Sequence, residues 1–205
     1  MRLAGVAAIT AAVVVTCSAC GGTARQSQTV SHPAGSGFRG FAIRPPAKAP
    51  TFTLRDQSGR LTGPQNLRGH WFVVAFLYTH CPDVCPLIAS QLHNAVSRLG
   101  SQAGKVQLVA VSVDPRGDKP ANVARFLQEH ELVGQMQYLI GSASELAPVW
   151  QAWGVGSTRD SGNPEFINHS ALVYGVSASG KLTTIYPANL NPSELVHDVP
   201  LLLAS

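Results

Sequence analysis

From Trp71 to Tyr78 every residue is apolar or aromatic. So short and unbroken a run predicts a strand buried on both faces at the centre of a sheet. Residues 106–113 form a second mainly apolar run, broken only by Gln107 and Ser112 and closed by Asp114 and Pro115, and read as a second buried strand. Between the two runs the period changes. Ile88, Leu92, Val96 and Leu99 mark one face of a helix that ends near Gly100. Val123, Phe126 and Leu127 predict a second helix, with Pro120 in its first turn and Asp118 as its cap. Residues 137–140 read as a short strand. Ser142 and Glu145 make a capping box for a helix running to Trp153, which Pro148 must bend. Residues 171–176 and 182–186 pair as a hairpin around Ser179 and Gly180, and a smaller hairpin spans 51–62. Asn191 and Glu194 cap a last helix, with Leu195, Leu201 and Leu202 on its apolar face. This order predicts an α/β fold, a central β-sheet flanked by helices.

The first fifty residues follow another pattern. Arg2 is followed by no charge until Arg25, and residues 3–16 are apolar and small, as in an export signal. The stretch from Cys17 to Gly21 resembles a bacterial lipoprotein signal. Ser18 and Ala19 suit the positions before a cut, which leaves Cys20 as the lipidated residue. The alternative is a single N-terminal transmembrane anchor, for which the uncharged stretch is about long enough. Either way the rest of the chain lies outside the cytoplasm beside a membrane, as at the extracytoplasmic face of a bacterial cytoplasmic membrane. Residues 20–50 have the proline, glycine and serine content of a flexible tether. The chain therefore divides into a signal peptide at 1–19, a tether at 20–50 and a folded domain at 51–205.

Charged residues are only 13% of the chain, and the formal charge of +4 is scattered, so nucleic-acid binding has little support. Of the four cysteines, Cys17 and Cys20 fall in the targeting segment. Cys81 and Cys85 remain, directly after the first buried strand. A helix starting at Cys81 would put both sulfurs on one face of its first turn, with Pro82 well placed beside them. There the unpaired N–H groups favour thiolate, the form that binds soft metals and attacks disulfides. A cysteine pair after such a strand reads as a thioredoxin-like arrangement, but the spacing is C-x-x-x-C rather than C-x-x-C. The wider spacing suits a shared ligand at least as well as a redox disulfide.

Two thiolates make an incomplete metal site. His93, His130 and His197 lie on helical patterns without partner motifs, and His32 lies in the tether. His70 precedes the central strand, at its far end. The ring of His80 should point away from its neighbour Cys81. His169, in a loop just before the hairpin, is the candidate third ligand, against an ordinary loop histidine as the alternative. Asp114 and Asp118 are explained by a strand end and a helix cap. Asp83 reads as a first-turn helix acid that also influences the sulfurs.

Residues 78–86, Tyr-Thr-His-Cys-Pro-Asp-Val-Cys-Pro, resemble the signature of the Sco/SenC family. Residues 112–118 resemble its D-P-x-x-D segment. Asn168, His169 and Ser170, followed by an apolar strand, resemble its ligand histidine and hairpin. The interval from Cys85 to His169 is of the family's order, and the resemblance runs from about residue 51 to the end. It implies a thioredoxin-like fold and a membrane-tethered protein that binds copper, Cu(I) or Cu(II), through Cys81, Cys85 and His169. Such proteins assist assembly of the dinuclear copper site of cytochrome c oxidase. The implied partners are the copper-binding subunit of that oxidase, the membrane through the lipid anchor, and a second copper chaperone.

On this reading the chain is a copper chaperone rather than a turnover enzyme. The main alternative is a thiol–disulfide reductase acting on exported cysteine-containing proteins through Cys81 and Cys85. A peroxidase would need an arginine beside the reactive cysteine, and none stands near the motif in sequence. Structural zinc normally takes four protein ligands, and only three are found.

Overall fold

The predicted central strand is β4 (Trp71–Leu77), and all seven of its residues are buried. The computed structural model describes residues 37–67, 69–163 and 166–204. The elements before β4 are β1 (Phe41–Lys48), β2 (Leu54–Asp56) and β3 (Leu61–Thr62). After it come α1 (Val84–Arg98), β5 (Val106–Ser112), α2 (Pro120–Glu129), β6 (Met136–Ile140) and α3 (Ala143–Ala152). The chain ends with β7 (Ser157–Arg159), β8 (Ile167–His169), β9 (Leu172–Val176), β10 (Lys181–Pro187) and α4 (Pro192–Leu203).

Eight strands form one sheet in the order β1-β10-β9-β4-β5-β6-β2-β3, and β7 pairs with β8 as a separate two-stranded ribbon. Strands β4, β5 and β6 are parallel, and β9 runs antiparallel to β4. Register decides where the chemistry falls. Leu77 pairs with Ser112, so the chain leaves β4 and β5 at the same edge of the sheet. Ala75 pairs with Val173, which brings the start of β9, just after His169, to that edge too. In open parallel sheets this carboxyl end is where ligands bind. Helices α1 and α4 pack against each other, and α4 also touches β4.

The expected strands, hairpins and helices are present, with four corrections. The tether ends sooner than its composition suggests, because Phe41–Lys48 is an edge strand antiparallel to β10. An edge tolerates Pro45 and Pro46, which fall where the pairing with β10 is interrupted between Ala42 and Ala47. Helix α1 begins at Val84 rather than Cys81, with Asp83 as N-cap. A residue before proline is pushed out of the helical region, so Cys81, ahead of Pro82, stays in the preceding turn. Asp83 accordingly caps instead of lying in the first turn, and its side chain makes no capping hydrogen bond. Asp118 does not cap α2: the N-cap is Lys119, and Asp118 is buried. The capping boxes of Ser142 with Glu145 and of Asn191 with Glu194 form as expected, and Pro148 lies inside α3. The signal segment, Cys20 and His32 lie outside the described residues.

Candidate metal centre

Cys81 and Cys85 are both buried free cysteines. Cys81 sits in the turn between β4 and α1, and Cys85 in the first turn of α1. The Cys85 N–H donates to Cys81 Sγ at 3.4 Å, so the sulfur takes up one of the unpaired donors of the helix. His169 closes β8, and its Nε2 stands 4.0 Å from Cys85 Sγ. Sulfur and nitrogen donors on one metal, at about 2.3 and 2.0 Å from it, lie roughly 3.5–4.3 Å apart depending on angle. That separation therefore suits two ligands of a common ion. Among the described residues, no three His, Cys, Asp or Glu side chains already stand as a complete metal-holding group. Cys85 is the common neighbour: Cys81 meets it through the turn, and His169 meets it from the ribbon.

The two thiols are driven apart electrostatically. The Cys85 thiol, aided by the N–H groups of Asp83 and Cys85 and the Tyr78 hydroxyl, pulls Cys81 down to about 6 against the cost of burial. Cys85 moves up, through its hydrogen bond to Cys81, its own burial and the charge of Cys81. Cys81 is thus the thiolate of the pair and Cys85 holds the proton. Burial lowers the pKa of His169 and keeps its ring neutral. Its Nδ1 lies 3.3 Å from the Ser170 carbonyl, which can only accept, so the proton sits on Nδ1 and the Nε2 lone pair faces Cys85.

Asp118 is the hub beneath this turn. Its Oδ1 accepts from the Thr79 N–H and hydroxyl, both at 2.8 Å. Its Oδ2 accepts from the Ser112 hydroxyl at 2.6 Å and from the Tyr138 hydroxyl at 3.1 Å. Burial raises its pKa, and these bonds oppose the rise. It thereby fixes Thr79, two residues ahead of Cys81. Asp114 is buried and accepts from Arg159 Nη2 at 2.6 Å. Strand β7 thus brings Arg159 to the loop beside the cysteine motif, near which no arginine stands in sequence, and Asp114 engages it.

The other histidines among the described residues stay out of the centre. His80 is exposed and pairs with the Thr79 hydroxyl, as its position beside Cys81 implied. His93 bonds the Glu131 carbonyl, His130 packs on Phe126 and His197 pairs with Asp198. His70 is exposed before β4, at the opposite end of that strand.

In the sequence Tyr78 closes the apolar run and opens the family signature, with no role of its own assigned. Its hydroxyl accepts from the Ile167 N–H at 3.4 Å, and its ring meets His169 edge-on at 5.9 Å. Burial pushes its phenol up to about 12. Tyr78 and Arg159 are the site residues that sequence reasoning missed, because their partners lie far away in the chain.

The SCO1/SenC family model matches residues 42–204. The chain belongs to the SCO1/SenC family. The SCO2 homolog of Bos taurus mitochondria is 31% identical over 155 residues, covering 72% of this chain and 57% of the bovine protein. ScoI of Bradyrhizobium japonicum, solved with copper bound, is 29% identical at a TM-score of 0.67, covering 77% of this chain and 100% of that one. A SCO1/SenC family lipoprotein from Bacillus anthracis is 25% identical at a TM-score of 0.68, covering 78% of this chain and 99% of that one. The fold these proteins share is thioredoxin-like, as the cysteine placement implied. The chain spans 45% to 59% of the length of the mitochondrial relatives it matches.

Proposed function

We propose that this chain is a membrane-tethered, extracytoplasmic copper-binding protein that delivers copper to, or prepares, the dinuclear copper site of cytochrome c oxidase. The observation that carries the reading is the approach of His169 Nε2 to Cys85 Sγ at 4.0 Å, beside a second sulfur. Cys81, Cys85 and His169 would hold the ion. Sulfur donors favour Cu(I), and the imidazole also accommodates Cu(II). The residues are prepared for this. Cys81 already favours thiolate, His169 offers an unprotonated Nε2, and Asp118 steadies the turn. A set with few protein ligands also suits handing the metal on by ligand exchange. The copper-bound Bradyrhizobium japonicum relative supports the choice of metal. The lipid anchor on Cys20 rests on the residues around it and on the Bacillus anthracis relative, described as a lipoprotein. The oxidase subunit and a second copper chaperone remain the partners the resemblance implies.

The opposed thiol shifts favour a second activity in the same site, thiol–disulfide exchange on exported proteins. Cys81 would attack a partner disulfide as thiolate, and Cys85 would then lose its proton and resolve the mixed disulfide. Anaerobic copper titration, read by metal analysis and absorption, tests the first reading. One copper per chain, with sulfur-to-copper charge-transfer bands in the oxidised form, is the expected result. Copper retention no better than that of a chain lacking both cysteines would end it.

A further inference from the structure

His169 is not carried by the main sheet. It ends a two-stranded ribbon in which Ser157 pairs with His169, Thr158 with Asn168 and Arg159 with Ile167. Side chains alternate along a strand, and directly opposite residues share a face. Ser157, Arg159, Ile167 and His169 therefore project to one side, and Thr158 and Asn168 to the other. The contacts follow that division. The Ser157 hydroxyl donates to the Val113 carbonyl at 3.2 Å, Arg159 pairs with Asp114 at 2.6 Å, Ile167 is buried and His169 faces Cys85. Thr158 and Asn168 are exposed. The ribbon presents a single inward face on which the metal-binding imidazole is one of four attachments.

Of these, the Arg159–Asp114 pair is the charged one. Asp114 is nearly covered, with 8% of its side chain exposed, and Arg159 has 31%. A charge-assisted bond that short and that shielded is stronger than a surface ion pair. Asp114 opens the loop after β5, the strand next to the one that leads into Cys81. The pair thus ties the strand opposite His169 to the loop beside the sulfurs.

We propose that Arg159, acting through Asp114, is a positioning residue that holds His169 against the cysteine pair and so sets how long the site retains copper. The proposal rests on the copper reading above for its last clause only. The latch itself is a property of the metal-free chain.

The test uses the full chain in detergent micelles, with Arg159→Gln, Asp114→Asn and, as an outward-facing control, Thr158→Ala. Amide hydrogen exchange over 157–169 in metal-free protein should rise by about tenfold in the first two variants and stay unchanged in the control. Cu(I) loss to a competing chelator should speed up by a similar factor, while alkylation of Cys81 keeps its wild-type pH profile. Arg159→Lys, which keeps the charge, should restore part of both effects. Wild-type exchange in Arg159→Gln would overturn the proposal, as would an equal rise in Thr158→Ala. If Arg159→Gln fails to fold, Asp114→Asn and Arg159→Lys decide by the same exchange readout. A wild-type chain that retains no copper would sink the copper reading, with the exchange arm still judging the latch.

Discussion

Cys81 and Cys85 carry the same side chain four positions apart, yet their surroundings move them in opposite directions. Cys81 keeps 8% of its surface and collects hydrogen bonds, whereas Cys85 is wholly buried and gives one up. Because the folded pKa of Cys81 is lowered, its thiolate fraction grows as pH rises through about 6, below the range of an ordinary thiol. Iodoacetamide labelling of the reduced chain, followed by peptide mass spectrometry, should therefore modify Cys81 alone, with half-maximal rate near pH 6. A profile rising only near about pH 8.5, or equal labelling of Cys85, would contradict that assignment. At this scale the sequence was uneven. The two cysteines were legible from their own spacing, and His169 as a candidate from its place before the hairpin, which the family resemblance then singled out as the ligand. Tyr78 and Arg159 were silent, since a tyrosine closing an apolar strand and an arginine in a three-residue strand look ordinary until the fold supplies their partners.

Elements were read well where period and caps agreed, and less well where chain ends or prolines intervened. An unbroken apolar run gave β4, a mainly apolar one gave β5, and capping boxes gave α3 and α4. The ribbon of β7 and β8 was missed because three residues are too few to show alternation. Strand β1 was missed because its prolines and lysine read as tether, although an edge accepts them. Its attachment is more than edge pairing. The Arg39 and Gly40 N–H groups donate at 2.8 Å to Asp198, a buried carboxylate on α4 that also accepts from the Tyr186 hydroxyl. A fragment starting at residue 51 would lose β1 and strip two donors from that carboxylate. At about 1–3 kcal/mol for each unmet buried partner, it should melt on the order of 10 °C below a fragment starting at residue 37. Equal melting temperatures by circular dichroism would show that β1 contributes nothing.

At the scale of the whole molecule, topology explains why residues so distant in sequence meet. Parallel β4 and β5 end in register, antiparallel β9 begins at that same edge, and the three adjoining segments carry the cysteines, the aspartates and His169. Fold class was legible from element order, whereas this convergence depends on strand order, which local pattern does not encode. The proposed lipid anchor on Cys20 belongs to this scale as well. Mass spectrometry of the chain purified from membranes should find it cut after Ala19 with a lipid on the Cys20 sulfur, and an uncut chain with a free Cys20 would favour a transmembrane anchor instead. The central claim is that two sulfurs and one remote imidazole form a single copper site, and anaerobic Cu(I) competition on the wild type and His169→Ala tests it most directly. One copper per wild-type chain is expected, with an affinity lower by about 100-fold or more without the imidazole and Cys81 labelling unchanged. Wild-type affinity in His169→Ala would contradict it.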